Sequence, residues 1–90
     1  MIRVTLLTQG DCAMCEHAKE VLARVGADHR LDVEEVALAT PEGQALALRH
    51  GVLFAPGVLL DGESFAYGRL SERKLRRILA RRAELGTQPG

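Results

Sequence analysis

The chain is 90 residues long, which is enough for one domain with a single hydrophobic core. Hydrophobic residues make up 47% of it and charged residues 27%, which excludes a disordered or fibrous chain. The formal net charge is zero, so nothing in the overall charge suggests a nucleic-acid partner. With two phenylalanines, one tyrosine and no tryptophan, the core is expected to consist mainly of Leu, Val, Ile and Ala.

Export and membrane signals are not evident in the sequence. Residues 1–7 are apolar, but this stretch is short and has no small-residue cleavage site after it. No uninterrupted apolar run approaches the roughly 20 residues that a membrane helix requires. We therefore expect a cytoplasmic protein without a membrane partner.

The first half of the chain predicts a βαβ unit. Ile2–Thr8 is rich in β-branched residues and is followed by a turn at residues 9–11, which indicates a buried strand. A helix is expected next, ending at Gly26 as a left-handed cap, and residues 32–38 then predict a second strand. The apolar residues with helical spacing are Met14, Ala18, Val21, Leu22 and Val25.

A second helix and a hairpin are predicted in the second half. Thr40 followed by proline is a typical helix start, and the helix is expected to run to His50 with Gly51 as its cap. Residues 58–60 and 64–67 read as two short strands about the tight turn Asp61-Gly62. Together these elements give a sheet of four strands.

The last predicted element is a helix capped by Ser71. Its apolar residues Leu75, Ile78 and Leu79 form one narrow stripe. We expect one domain over residues 1–86 and a frayed tail over residues 87–90. The basic residues of this helix could dock an acidic partner, but a solvated face is the simpler interpretation. These residues are Arg73, Lys74, Arg76, Arg77, Arg81 and Arg82.

Cys12 and Cys15 are the candidate catalytic residues. Cysteines at i and i+3 in the first turn of a helix are close enough for a disulfide. The unpaired amides and positive dipole end of the helix favour the thiolate of Cys12, which makes it the expected nucleophile. Cys15, one turn further in, would resolve the mixed disulfide. Asp11 and Glu16 oppose thiolate formation, although Asp11 is expected to act as the helix cap.

Two other interpretations of the cysteine pair remain open. It could bind a metal, but His17 is the only further ligand nearby and zinc requires four. It could also be inert packing. The position of the pair on a strand-to-helix turn favours redox chemistry. We interpret His17 as a surface residue, and His29 and His50 as exposed or as cations near helix ends.

The order of these features resembles the thioredoxin superfamily, and its short glutaredoxin-like branch in particular. The resemblance covers nearly the whole chain. It rests on the strand leading into Cys12-Ala13-Met14-Cys15, on residues 51–62 with Pro56 opening a strand, and on Tyr67-Gly68 before the last helix. It implies a thioredoxin-like α/β fold, βαβαββα, with a four-stranded mixed sheet and helices on both faces. It also implies a cis bond at Pro56, beside the cysteines, and substrate binding by Met14, Ala55 and Pro56.

The chain departs from the family pattern at the groups that hold glutathione. Glutaredoxins usually carry a lysine before the cysteine motif and an acidic residue before the last helix. Residues 8–11 and 67–71 lack both groups here, and Ala13-Met14 replaces the dipeptides typical of either branch. Glutathione is therefore not expected to bind tightly.

The sequence thus predicts a monomeric thiol–disulfide oxidoreductase that acts on a disulfide-containing protein or a small thiol. No cofactor beyond the cysteines, no metal and no nucleic acid is expected. Two alternatives are a metal-binding module that uses Cys12 and Cys15, and a thioredoxin-fold interaction domain without turnover.

Overall fold

The computed structural model describes residues 1–86, and these form four strands and three helices. The predicted order βαβαββα is confirmed. The predicted tail, residues 87–90, lies outside the described residues. The elements in chain order are β1 (Ile2–Thr8), α1 (Ala13–Gly26), β2 (Leu31–Ala37), α2 (Pro41–His50), β3 (Gly57–Leu60), β4 (Glu63–Tyr67) and α3 (Glu72–Gly86).

The four strands form one mixed sheet with the order β2-β1-β3-β4. β1 runs parallel to β2 and antiparallel to β3, and β4 runs antiparallel to β3. α1 connects the two parallel strands, as a parallel pair requires a crossover. β1 lies inside the sheet, which explains why its residues from Val4 to Thr8 are all buried.

Helices cover both faces of the sheet, as predicted. Leu6 and Leu7 are neighbours in β1 and point to opposite faces. Leu6 belongs to a core cluster with residues of α1 and α3, whereas Leu7 belongs to a smaller cluster against which Leu46 of α2 packs. The buried apolar residues are almost all Leu, Val and Ala, as the composition led us to expect.

The ends of α2 are fixed by residues that the sequence identifies. The hydroxyl of Thr40 accepts a hydrogen bond from the Gly43 amide at 3.0 Å, and Gly51 ends the helix with φ of 66°. A Cβ atom at Gly43 would collide with the carbonyl oxygen of Ala37. Only glycine therefore allows the first turn of α2 to lie this close to the end of β2.

The end of α1 differs from the prediction. Gly26 is the last residue of the helix, and the cap that follows it is Ala27, with right-handed φ of −71° and ψ of −26°. The amide of Ala27 bonds back to Arg24 and those of Asp28 and His29 bond back to Val25, which closes the helix without a left-handed residue. The expectation of a glycine cap was wrong for this reason. β2 also begins and ends one residue earlier than predicted.

The hairpin and the last helix agree with the sequence. Asp61 and Gly62 have φ of 49° and 81°, so both central residues of the two-residue turn are left-handed. The Ser71 hydroxyl accepts a hydrogen bond from the Lys74 amide at 3.1 Å and so caps α3. Within residues 1–86, no helix combines the length and the apolar character needed to cross a bilayer.

Candidate active site

Three segments meet at one end of the sheet. β1 ends at Thr8, and Leu7 pairs with Gly57, the first residue of β3. Gly57 pairs on its other side with Tyr67, the last residue of β4. The cysteine turn that follows β1, the loop that precedes β3 and the chain that leaves β4 are therefore all at this end.

Cys12 and Cys15 form a disulfide at the start of α1, with their Cα atoms 5.2 Å apart. Cys15 is buried, with 1% of its surface exposed, whereas Cys12 keeps an intermediate exposure. The prediction that Cys12 is the more accessible cysteine is confirmed. An incoming group can reach Cys12 while Cys15 stays covered by the first turn of the helix.

The residue that caps α1 is Cys12 itself. Its backbone is extended, and its sulfur accepts a hydrogen bond from the Cys15 amide at 3.1 Å. Asp11 was expected to be the cap, but it stands one residue before that position, in the left-handed region with φ of 50°. The expectation was wrong because the helix begins one residue later than a cap at Asp11 would require. The helix amides are therefore directed at a cysteine sulfur.

Two acidic residues, Asp11 and Glu16, flank the cysteines along the chain. Glu16 lies 3.1 Å from the ammonium group of Lys19, which also lies 3.3 Å from Glu35. Hydrogen bonds to Glu16 and then to Glu35 raise the pKa of Lys19 above its usual value of 10.5. Asp11 is exposed and makes no ion pair with any residue from 1 to 86. The positive charge of Lys19 is thus shared by two carboxylates, and Asp11 remains as a negative charge beside Cys12.

Pro56 lies in the loop that enters β3. The Ala55–Pro56 peptide bond is cis. The carbonyl oxygen of Pro56 accepts a hydrogen bond from the Gly68 amide at 2.7 Å, which fastens this loop to the chain leaving β4. Within residues 1–86, neither the amide nor the carbonyl of Ala55 bonds to another backbone group, although Ala55 is only 3% exposed.

An exposed aromatic pair lies at the same end of the sheet. Phe54 and Tyr67 are 50% and 41% exposed, and their ring centroids are 5.2 Å apart at an interplanar angle of 87°. Gly68 has φ of 82°, and a Cβ atom there would come within 3.0 Å of the Phe54 ring. Met14, between the cysteines, is 39% exposed. Tyr67 was predicted as the end of a strand and as part of the family resemblance, but its pairing with Phe54 was not predicted.

The histidines are not grouped around the cysteines. His17 is half-buried rather than fully at the surface as expected, and its Nδ1 atom is buried without a hydrogen-bond partner. His29 follows α1 and His50 ends α2, in agreement with their predicted positions near helix ends. In the part of the chain that the structure describes, no three His, Cys, Asp or Glu residues are arranged to hold a metal ion.

The basic residues of α3 divide into two groups. Arg76 lies 2.7 Å from Asp28 and 3.0 Å from Glu72, and Arg82 lies 3.0 Å from Asp61. These two arginines hold α3 to neighbouring elements. The remaining basic residues are exposed, and they are Arg73, Lys74, Arg77 and Arg81. Part of the predicted basic cluster is therefore structural.

The fold, with its cysteine turn at the start of α1, is thioredoxin-like, and solved structures agree. A mutant thioredoxin from Halobacterium salinarum is 23% identical, with a TM-score of 0.69 over 89% of this chain and 73% of that chain. Thioredoxin 1 from Thermosipho africanus is 15% identical, with a TM-score of 0.71 over 96% of this chain and 99% of the other. A thioredoxin-like protein from Clostridium perfringens is 16% identical, with a TM-score of 0.73 over 90% of this chain and 70% of that one.

The family model described as "Glutaredoxin-like domain (DUF836)" matches residues 3–80. The chain belongs to this family. No protein among the curated sequences matches it significantly. The fold and the cysteine pair support a thiol redox role.

Proposed function

We propose that the protein is a thiol–disulfide oxidoreductase that uses Cys12 and Cys15. The observation that carries this proposal is the disulfide between a partly exposed cysteine at the start of α1 and a buried cysteine one turn further in. An inert structural disulfide would have no need of an accessible sulfur at a helix N-terminus. The same position favours the thiolate, which is the reactive form.

The reaction proceeds by two thiol–disulfide exchanges. The Cys12 thiolate attacks one sulfur of a substrate disulfide, and the other substrate sulfur leaves as a thiolate. The Cys15 thiolate then attacks Cys12, which releases the second substrate thiolate and forms the Cys12–Cys15 disulfide. Two electrons pass from the protein to the substrate, and the released thiolates take up protons from water. A dithiol donor regenerates the reduced protein by the reverse exchange.

Substrate binding is assigned to residues around the cysteine turn. Met14 is exposed beside the disulfide and can contact an incoming chain. The backbone of Ala55, next to the cis bond of Pro56, has unused hydrogen-bonding groups and could pair with an extended substrate. Because Ala55 and Pro56 are buried in the oxidised protein, this pairing requires a small displacement of the groups that cover them.

The partner we favour is a disulfide-containing protein, with the enzyme acting as a monomer that needs no cofactor. A cytoplasmic setting suits this role in cellular redox homeostasis, because the systems that keep cytosolic thiols reduced would also regenerate the dithiol. Asp11 is a carboxylate beside Cys12 without an ion pair among the described residues, and it disfavours an anionic small thiol such as glutathione.

The cysteine roles are tested by alkylation and trapping. Under limiting iodoacetamide, the reduced protein should be labelled first at Cys12. When the reduced protein is freed of reductant and mixed with a peptide that contains one internal disulfide, the protein should form its Cys12–Cys15 disulfide and release one equivalent of the dithiol peptide, as mass spectrometry would show. Cys15→Ser should accumulate a mixed disulfide that Cys12→Ser does not form. Labelling of Cys15 first, or full activity of Cys12→Ser, would contradict the assignment.

The prediction for glutathione is weak binding. Titration of the oxidised protein with glutathione disulfide, which has no thiol to exchange with the Cys12–Cys15 bond, should show no saturable NMR shift of the amides of residues 9–16 at submillimolar concentrations. A dissociation constant of about 1 mM corresponds to a binding free energy of about −4 kcal/mol. Asp11→Asn is the informative variant, because it removes the repulsive charge and should strengthen any residual binding. Tight, saturable binding of glutathione by the unaltered protein would contradict this prediction.

A further inference from the structure

We infer that Phe54 and Tyr67 form a substrate-facing aromatic wall, which selects polypeptide disulfides whose reacting cysteine has an apolar neighbour. This inference rests on the proposed function and names its substrate class. Neither residue takes part in the exchange chemistry. Their role is to bind the side chain next to the substrate cysteine and so to determine specificity.

The position of the pair supports this role. Tyr67 is the last residue of β4 and pairs with Gly57, which pairs in turn with Leu7 near the end of β1. Phe54 lies three residues before Gly57, in the loop that ends with the cis bond. The aromatic wall therefore lies at the end of the sheet where Cys12 is exposed.

Phe54 and Tyr67 are exposed side by side, whereas the remaining aromatic residue of the chain is packed. The protein has only three aromatic residues, and the third, Phe65, is packed against the main core cluster. An aromatic side chain buries about 150–250 Å² when it is fully covered. Phe54 and Tyr67 are half-exposed, so much of their apolar surface is in contact with water. A bound apolar side chain would bury part of this surface and so gain hydrophobic free energy. The disulfide site is thus bordered by a surface that prefers an apolar ligand.

The pair is also held in place before any substrate arrives. The two rings meet edge to face, and the Phe54 ring lies so close to Gly68 that a Cβ atom at position 68 would come within 3.0 Å of it. The bond from the Gly68 amide to the Pro56 carbonyl joins the two segments that carry the rings. A preorganised surface loses little conformational freedom on binding, so contact with it adds more to affinity.

The charges of the cysteine turn itself do not favour an acidic segment, although Arg69 and Arg73 line a nearby pocket with His17 of α1. Asp11 is an exposed carboxylate without an ion pair among the described residues, and it disfavours an acidic segment. Lys19 is the cation nearest to the cysteines along α1, and it already pairs with two carboxylates. It is therefore not available to attract an acidic substrate segment. A neutral apolar segment meets no such opposition.

The test uses two peptides that differ only beside the cysteine. Each carries one cysteine in a mixed disulfide with thionitrobenzoate, flanked by leucine in one peptide and by serine in the other. Pre-reduced protein is mixed with each peptide under single-turnover conditions, and release of the coloured thiol gives the second-order rate constant. Each rate is divided by that of free dithiothreitol with the same peptide. The unaltered protein should favour the leucine peptide by about tenfold, a free-energy difference of about 1.4 kcal/mol.

The variants separate the aromatic wall from general effects. Phe54→Ala and Tyr67→Ala should each reduce the preference to about threefold or less, whereas Tyr67→Phe, which keeps the ring, should retain it. Leu48→Ala is the matched control, because Leu48 is 86% exposed on α2, the helix that covers the opposite face from α1 and α3. This control should keep the full preference. The rate of Cys12 alkylation, measured in parallel, shows whether each variant retains its cysteine site.

The possible outcomes distinguish a failure of this inference from a failure of the proposed function. Equal normalised rates for both peptides, or a preference that survives both alanine variants with the alkylation rate intact, would overturn the inference and leave the oxidoreductase proposal standing. If neither peptide reacted through Cys12, the proposed function would be overturned, and the inference with it.

Discussion

Cys12 combines two roles at the level of the residue. Its sulfur caps α1 by accepting the hydrogen bond of the Cys15 amide, and the same sulfur is the accessible one of the pair. The spacing of the cysteines in the sequence predicts that both lie at the helix start. It does not reveal which side chain caps the helix, because Asp is a commoner cap than Cys. The choice depends on the left-handed turn at Asp11, which is a three-dimensional feature of the loop.

Gly68→Ala should destabilise the protein. An alanine there would adopt a left-handed φ of 82°, and its Cβ atom would press against the Phe54 ring. The left-handed conformation alone costs roughly 1–2 kcal/mol for a residue with a Cβ atom. Urea unfolding at constant temperature should therefore show a lower midpoint with an unchanged slope.

Gly26→Ala is the matched control for that substitution. Gly26 lies in the helix α1, its φ is not positive, and nothing lies within 4 Å of an added Cβ atom. Alanine is the better helix former, so this variant should be more stable by about 0.4–1 kcal/mol. If both variants lost stability equally, the conformation of Gly68 would not be the cause.

At the level of the element, α1 and α3 are joined by a chain of ion pairs as well as by the core. Glu72 lies 2.9 Å from Arg24 of α1 and 3.0 Å from Arg76 of α3, and Arg76 also contacts Asp28 just after α1. These pairs are largely exposed, so each contributes little by itself. Their common partner, Glu72, is the first residue of α3 and also favours the positive end of that helix.

The stability contributed by Glu72 should disappear in acid. Hydrogen bonds from Arg24 and then from Arg76 lower the pKa of Glu72 below its usual value of 4.5. A carboxyl whose pKa is lowered by folding stabilises the native state above its unfolded pKa, and this stabilisation is lost as pH falls through the folded value. Glu72→Gln should therefore be less stable than the unaltered protein at pH near 7, and the difference should shrink as the pH falls below 4.5.

Thermal or urea unfolding across that pH range measures this effect. Glu20→Gln is the control for loss of one negative charge, since Glu20 is an exposed residue of α1 without an ion pair among residues 1–86. High salt should reduce the effect of Glu72→Gln at neutral pH, because exposed charges are screened over about 3 Å at 1 M ionic strength. A difference that stays constant from neutral to acidic pH would mean that the ion pairs of Glu72 do not stabilise the fold.

The order of elements could be predicted from the sequence, but their exposure could not. Val33 lies between acidic residues in the predicted strand, and because β2 is an edge strand it is 45% exposed. Alternation of apolar and polar residues in a strand does not show whether one or two other strands pair with it in the sheet. The acidic residues at 32, 34 and 35 fit the edge, where charged side chains oppose pairing with another chain.

For the whole molecule, one core dominates. α1 and α3 close over one face of the sheet to form the larger cluster, in which Leu75 is fully buried. Leu75→Ala should cost roughly 2–5 kcal/mol through lost burial and the cavity left behind. A domain of this size has a total stability of about 5–13 kcal/mol, so the variant should lose a large fraction of it.

The control for this substitution is Leu48→Ala, where the side chain is exposed on α2 and the change should stay within about 0.5 kcal/mol. Urea unfolding followed by far-UV circular dichroism gives both values. A loss of similar size at both positions would show that burial in this core does not determine the stability.

The buried face of α3 could be predicted from the sequence, but the contacts within the candidate site could not. The stripe of Leu75, Ile78 and Leu79 was sufficient to predict the face that α3 buries. The meeting of Phe54 with Tyr67 depends on the register of three strands and on a left-handed glycine at position 68. Neither is encoded in a local pattern, because each requires residues far apart in the chain to be aligned.

The hydrogen bond between the Cys15 amide and the Cys12 sulfur allows the state of Cys12 to be followed by hydrogen exchange. When Cys12 forms a mixed disulfide, the position of its sulfur depends on the substrate as well as on the helix. The Cys15 amide can then lose its hydrogen-bond acceptor. A helix amide without an acceptor exchanges its hydrogen with water more readily. In the proposed reaction, the exchange rate of this single amide would separate the free protein from its mixed disulfide with the substrate, without any added label.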